Sequence, residues 1–362
     1  MHLKNSIRSM WCLIVSAWTT FTVFTCKKDR PIHPKLFYAG ARSGSLGGPL
    51  VKVARLQQVF PEHLTNYNVI YALSNAAYLN QSAVKAIKRK NIPLLVNQNG
   101  IFYPGWYSGD WRFMNKKMSI IYHHADYVFW QSTFCKNAAN QFLGFREGPG
   151  EVLFNAVDTK IFIPTLYQNR PFTFLVAGNM SDDVGYRIFN AIDGFRLARD
   201  SGLQAKLLIA GRVSPNLKKA IDEYVRSYDS FHQNICLLGQ YEQKNAPSLY
   251  AQADAFIMTK YNDSCPNTVI EAMSSGLPII YSDSGGVPEM VGNQAGVPLK
   301  VPQGWDDINH VPSVNDLADA MIYVSKNHAE MSIAARKRAV DKFEITNWLQ
   351  RHNKIFHHFL VK

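Results

Sequence analysis

The chain has 362 residues, enough for two domains of ordinary size. Hydrophobic residues make up 47% and charged residues 18%, without a long low-complexity tract, which excludes a disordered scaffold. Lysine and arginine outnumber aspartate and glutamate by 39 to 27, and this net +12 points to an anionic partner or to a solvated basic surface.

Residues 1–34 form an N-terminal extension. Trp11 to Cys26 is apolar, with Lys4 and Arg8 before it and Lys27, Lys28 and Arg30 after it. These sixteen residues fall short of the roughly 20 that span a bilayer. Two readings stand: an interfacial segment that touches an anionic membrane surface, and an extra helix packed on the body.

The first domain is expected over 35–163. Lys35–Ala39 reads as a buried strand, followed by the glycine-rich turn Gly40–Pro49 and a helix over Leu50–Phe60. Strand, glycine turn and helix open a Rossmann-like half. Further strands are expected at Val69–Leu73, Pro93–Asn97, Tyr127–Gln131 and Gly150–Phe154, with helices at Ser82–Arg89 and Asp110–His124. Such alternation implies a parallel sheet covered on both faces. Phe102–Tyr107 is an aromatic loop suited either to stacking or to a core edge. His123 and His124, about 100° apart on a helix, do not share a metal easily.

Pro164–Pro171 reads as a linker, and a second domain is expected over 164–345. Its strands are Phe172–Ala177, Ala205–Ala210, Ile235–Leu238, Ala255–Thr259 and Pro278–Ser282. Gly178, Gly211 and Gly239 follow the first three directly, which lets ligand approach backbone at the carboxyl edge. Residues 346–362 read as an amphipathic terminal helix. The five cysteines are scattered and contain no C-x-x-C, which suits a reducing, cytoplasmic compartment.

Lys260 to Glu289 carries the chemistry. Pro266 suits a helix start, and Gly276 with Pro278 ends that helix. The N–H groups of Asn267 and Thr268 then lie at its positive end, a natural seat for a diphosphate. Glu271, more than a turn further in, is placed to accept from a ribose, and Asp263 to face a sugar. The turn at Gly285–Gly286 offers backbone N–H groups to a hydroxyl or a phosphate oxygen.

The stretch resembles the family 4 glycosyltransferases. That signature is a carboxylate, seven residues, Glu-Ala-Met, Gly-x-Pro and Gly-Gly-x-Pro-Glu. Here it stands as Asp263, Glu271-Ala272-Met273, Gly276-Leu277-Pro278 and Gly285-Gly286-Val287-Pro288-Glu289. Gly47–Gly48, Gln131-Ser132, Asn155-x-Val157-Asp158, Phe162, Gly178, Gly211, Gly239 and Trp348 extend the likeness over about 35–360.

The resemblance implies an α/β fold of two Rossmann-like domains facing each other across a cleft (GT-B). It also implies hexosyl transfer from a nucleotide-sugar donor with retention, without a metal or other cofactor. Asp263 would be catalytic. Donor contacts would come from Glu271, Asn267, Thr268, Gly178, Gly239, Gly285 and Gly286. A sugar, lipid-linked or polysaccharide acceptor would meet Gly47, Gly48, Asn97 and Asn99, and the terminal helix would cross back to the first domain. Asn179 and Val184 stand where the family usually carries an arginine and a lysine for the donor phosphates, so Arg212 and Lys260 are expected to replace them. Asn97-Gln98-Asn99-Gly100 stands where the family often has a histidine. These losses keep open a catalytically silent sugar-nucleotide-binding protein, beside a sugar-nucleotide epimerase on the same fold. A nucleic-acid partner is not expected, since no dense basic block or binding signature accompanies the charge.

Overall fold

The computed structural model of the chain describes residues 2–26, 33–44, 48–165, 170–227 and 232–361. The chain divides into two units, Met1–Phe154 with Thr346–Lys362, and Asn155–Ile345.

In the first unit the elements in chain order are α1 (His2–Thr25), β1 (Leu36–Phe37), α2 (Gly48–Gln57), β2 (Val69–Leu73), α3 (Gln81–Arg89) and β3 (Leu94–Gln98). There follow α4 (Trp111–His124), β4 (Tyr127–Trp130), α5 (Thr133–Leu143) and β5 (Gly150–Val152). The five strands lie in the order β1-β2-β3-β4-β5, every pair parallel. Strands β2, β3 and β4 are buried at every position, as a sheet covered on both faces requires. Side chains at the N-caps set the helix starts: Asn80 accepts from the Ala83 N–H, Asp110 from Phe113 and Ser132 from Cys135. The strand expected over Lys35–Ala39 shrinks to two residues, because Ala39 and Gly40 take positive φ and turn the chain away.

The second unit comprises β6 (Phe172–Ala177), α6 (Tyr186–Asp200), β7 (Ala205–Ala210), α7 (Pro215–Arg226), β8 (Ile235–Gly239), α8 (Ala246–Tyr250), β9 (Ala255–Met258) and α9 (Asn267–Ser274). It continues with β10 (Ile279–Ser282), α10 (Val287–Val291), β11 (Gly296–Leu299), α11 (Val314–Lys326) and α12 (His328–Phe343). The sheet is all parallel in the order β11-β10-β9-β6-β7-β8. One face packs against α6, α7 and α11 through Phe174, Ile209, Ile257, Ile188, Ile221 and Met321. Strand β11 went unanticipated because Gly296 and Pro298 break its apolar run.

The division at Asn155 falls nine residues before the expected boundary at Pro164. Residues from Asn155 to Phe162 read as the end of the first half, yet their bonds run to the second. Asn155 Nδ2 donates to the Cys265 carbonyl at 2.8 Å, Val157 bridges Glu344, and the Phe162 carbonyl accepts from Ser274 Oγ and Arg336. Within the expected linker, 166–169 lie outside the described residues, and Arg170 clamps Asp254 through two bonds of 2.6 and 3.0 Å.

Helix α13 (Ile345–Val361) belongs to the first unit from Thr346 onward. Its Phe356 ring lies 5.1 Å from Phe60 and 5.9 Å from Tyr71, and Arg351 pairs with Glu151 at 2.8 Å.

Candidate active site

In the second sheet the strand order reverses beside β6, whose neighbours are β7 on one side and β9 on the other. A parallel sheet opens a ligand crevice at such a reversal, outside the strands' carboxyl ends. Gly178 follows β6 there, and α9 starts beyond β9. A Cβ built on Gly178 would lie 4.0 Å from Thr268 Cγ2, so the two are neighbours. Gly211, at φ +138°, presses its α-carbon against the Gly178 carbonyl, where a Cβ would come within 1.8 Å. No other residue fits. The N–H of Gly178 donates to Ala210, and that of Gly211 to Gly239.

Helix α9 begins without a side-chain cap, because Pro266 occupies the cap position itself rather than the first turn. The first N–H groups of a helix lack intrahelical acceptors, so this end is electropositive. Asn267 Oδ1, on the same turn, is buried with no hydrogen-bond partner among the described residues.

Asp263 stands on the loop leading into α9. Its Oδ2 is 2.7 Å from Lys260 Nζ, and its Oδ1 accepts from the Cys265 N–H at 3.3 Å. Lys260 is thus an ion-paired group. The glycine turn after β10 holds this loop: the Gly286 N–H donates to the Asp263 carbonyl at 2.8 Å. That N–H is therefore occupied by the loop, not offered outward as the sequence suggested. Gly285 has φ +70°, and a Cβ there would lie 2.4 Å from the Asp263 carbonyl oxygen. Asn262, also at positive φ, is pinned through its N–H to Ser284 Oγ and its amide to Gly304.

Arg187, on the first turn of α6, was missed by sequence reasoning. Its side chain is buried, its Nη2 reaches Met258 Sδ at the end of β9, and its Nε has no hydrogen-bond partner among the described residues. Burial pulls the guanidinium below its ordinary value, and the charges of Tyr186 and Asp263 act against this. A buried cation therefore acts on the motif carboxylate. The signal was Arg187 two residues beyond Gly185, displaced from the Val184 position. Arg212, by contrast, is exposed, and its backbone carbonyl accepts from the Met180 N–H. Of the two, Lys260 is the one whose side chain pairs with Asp263.

Glu271 is buried inside α9. Its carboxylate accepts from Gln243 Nε2 at 2.9 Å and from the Tyr250 hydroxyl at 3.2 Å. Burial, then the Glu271 charge, pushes the nearby Tyr241 hydroxyl up to about 12. Gly239, at the exposed end of β8, precedes this Tyr241–Gln243 segment. The sequence offered only a tyrosine two residues after a strand-end glycine as a hint of these partners.

In the first unit, Gly48 opens α2, and Gly47 lies outside the described residues. Asn97 and Asn99 meet at the end of β3. Both side-chain oxygens accept from Lys52 Nζ, and Asn99 Oδ1 also accepts from Gln131 Nε2 at 2.8 Å. Asn99 donates to Asn75 at 2.6 Å. A buried lysine thus organises the two amides, a role that its place in the apolar pattern of α2 concealed. The Phe102–Tyr107 loop is half core: Phe102 is buried against Trp106 and Tyr107 at 4.8 and 5.0 Å, and Trp106 is exposed. His123 bonds the Leu143 carbonyl, His124 that of Ile120. Among the described residues no group of three or more His, Cys, Asp or Glu is arranged to hold a metal ion.

Residues 171–327 match the family described as Glycosyl transferases group 1. The chain is 27% identical over 172 residues to an uncharacterized glycosyltransferase of Methanocaldococcus jannaschii, covering 42% of this chain and 41% of that one. It is 27% identical over 141 residues to one of the subunits of human phosphatidylinositol N-acetylglucosaminyltransferase, covering 39% and 28%. It therefore spans less than half the length of these relatives. Among solved structures it resembles a glycosyltransferase of Rickettsia africae with a TM-score of 0.67, 17% identity and coverage of 87% and 88%. It resembles Anabaena HepE in complex with UDP at 0.63, 17%, 85% and 82%. Sucrose-phosphate synthase of Thermosynechococcus elongatus gives 0.62, 16%, 85% and 76%. The two parallel α/β sheets of this chain are those of the GT-B type.

Proposed function

We propose that this chain, whose second unit carries a glycosyl transferases group 1 domain, transfers a sugar from a nucleotide-sugar donor to an acceptor hydroxyl with retention of configuration. The observation that carries the reading is the gathering of Gly178, Thr268, Lys260, Asp263 and Arg187 where the strand order reverses. The diphosphate would lie against the α9 N-terminus, with its charge met by helix N–H groups and by the two cations. Desolvated anions without such partners are costly. The charges of Lys260 and Arg187 balance the Asp263 and Glu271 carboxylates before a donor arrives, and the α9 N-terminus adds positive potential.

Breaking the glycosidic bond leaves negative charge on the departing nucleoside diphosphate and positive charge on the sugar. The cations and helix end stabilise the first, and Asp263 is placed to stabilise the second or to orient the sugar. Glu271, held by Gln243 and Tyr250, would receive the ribose hydroxyls, with Tyr241 beside it. The acceptor, a sugar, a lipid-linked glycan or a polysaccharide, would be met by Asn97, Asn99 and Lys52. No metal enters this reading.

A thermal-shift screen against a panel of sugar nucleotides tests donor use. A ligand at 100 times its dissociation constant should stabilise the chain by about 2.7 kcal/mol. NMR of the product's anomeric proton tests retention. Donor binding without turnover on any acceptor would leave a silent binder, and C-epimerised donor in the reaction mixture would mark an epimerase.

A further inference from the structure

Helix α1 is amphipathic the wrong way round for a helix in water. Its inward side is small and hydroxylated: Cys12, Val15, Ser16, Thr19, Thr22 and Val23 face the body. Ser16 Oγ donates to the Tyr78 carbonyl at 2.7 Å and accepts from the Asn80 N–H at 3.0 Å. Thr22 shares a 3.0 Å bond with the Tyr67 hydroxyl, and Trp11 and Trp18 donate to the carbonyls of Gly40 and Leu64. The outward side is apolar without interruption. Ile7, Met10, Leu13, Ile14, Trp18, Phe21 and Phe24 are 43–69% exposed. With Ala17 they occupy an arc of about 140° at 100° per residue, along about 26 Å of axis. A soluble surface rarely leaves so long an apolar stripe bare.

The charge distribution points to what covers it. The first unit holds 21 lysines and arginines against 6 acidic residues, and the second holds 18 against 21. All of the chain's positive excess, +15 against −3, therefore lies in the unit that carries α1, not in the one that carries the residues read as the donor site. Cations flank the stripe: Lys90 lies over its Phe24 ring and Arg42 over Trp11 beside it, each at 5.0 Å. Lys117 lies 4.5 Å over the exposed Phe113 ring, and it lines one small cavity together with Cys12 of α1. No helix among the described residues is long and apolar enough to cross a membrane.

We propose that the outward face of α1 docks on an anionic lipid bilayer, lying in the plane of the headgroups. Apolar side chains enter the interface, and Arg42 and Lys90 pair with lipid phosphates. The helix stays bonded to the first unit through Ser16 and Thr22. A second copy of the chain is disfavoured, since two such faces would bring +15 against +15. Nucleic acid would use the charge but not the stripe.

The test is flotation of the full chain with phosphatidylcholine vesicles carrying about 30% phosphatidylglycerol, a composition in the range where surface charge governs binding. The chain should float with these vesicles and at least tenfold less with pure phosphatidylcholine. Leu13→Asp with Phe21→Asp should abolish flotation at an unchanged melting temperature. Should that pair fail to fold, Leu13→Ser with Phe21→Ser replaces it. Arg42→Gln with Lys90→Gln should remove the preference for anionic lipid. Failure of the parent chain to float overturns the proposal. So does equal flotation by the folded aspartate or serine pair, a dimer in light scattering that either pair converts to monomer, or oligonucleotide binding in place of vesicle binding.

Discussion

Lys260 Nζ and Asp263 Oδ2 lie 2.7 Å apart on the loop that leads into α9. This pair is the charged centre of the site, and an incoming diphosphate would compete with Asp263 for the lysine. Lys260→Gln should weaken nucleoside-diphosphate binding by about 1.5–3 kcal/mol, the value of a charge-assisted hydrogen bond, with little effect on the bare nucleoside. Calorimetry with both ligands checks this, and equal losses would remove Lys260 from the phosphates. Asp263→Asn should act in the opposite sense, leaving or raising diphosphate affinity while turnover collapses.

Arg187 supplies the second cation. Arg187→Met fills the space beside Met258 without charge, so the fold should persist, since volume-conserving core changes cost under about 1.5 kcal/mol. Nucleoside-diphosphate affinity should fall tenfold or more, and Arg187→Lys should recover part of it. An Arg187→Met chain with parental affinity would make the residue purely structural.

Glu271→Gln should weaken donor binding and leave the fold intact. The Tyr250 hydroxyl and Gln243 amide can still bond a neutral amide, so the loss belongs to the ligand. It should reach about 1.5–3 kcal/mol for a charged hydrogen bond to ribose. Nucleoside titration of the folded variant measures it, and unchanged affinity would place the ribose elsewhere.

Gly285→Ala should damage stability and activity together. The new Cβ meets the Asp263 carbonyl oxygen at 2.4 Å, in a backbone region that costs a non-glycine residue about 1–3 kcal/mol. Urea unfolding gives the loss of stability, and a shift smaller than about 0.5 kcal/mol, the range of a neutral surface change, would contradict the geometry.

His352 couples the docking of α13 to pH. It is fully buried, with Nδ1 donating to the Trp348 carbonyl at 2.9 Å and Nε2 accepting from the Tyr71 hydroxyl at 3.0 Å. Burial holds its pKa down to about 3 from the ordinary 6.5. Between these values the unfolded chain binds a proton that the native chain does not. Stability contributed by the neutral ring is thus full above pH 6.5 and declines as pH falls toward 3, by at most about 1.4 kcal/mol per pH unit. Denaturant unfolding at pH 7 and pH 5 should show this slope, and His352→Asn should remove it.

The alternation of apolar runs and glycines, and the ordered signature from Asp263 to Glu289, were enough to reach two parallel α/β layers and to place Asp263, Asn267, Thr268 and Glu271 along one loop and helix. Such information is local: strand and helix periods, cap residues and breakers act over a few neighbours. Partnership across the sheet is not local. That the Gly286 N–H faces the Asp263 carbonyl, that the buried Arg187 feels the Asp263 charge, and that Lys52 joins Asn97 to Asn99 depend on elements apart in sequence settling side by side. Asn155 to Phe162 joined the second unit for the same reason, through bonds to Cys265, Ser274, Arg336 and Glu344. The sharpest case is α1, whose composition allowed either a packed helix or a membrane segment. Only packing decided which side met the body: hydroxyl groups found carbonyl and phenol partners there, and the large apolar side chains had none to bury against.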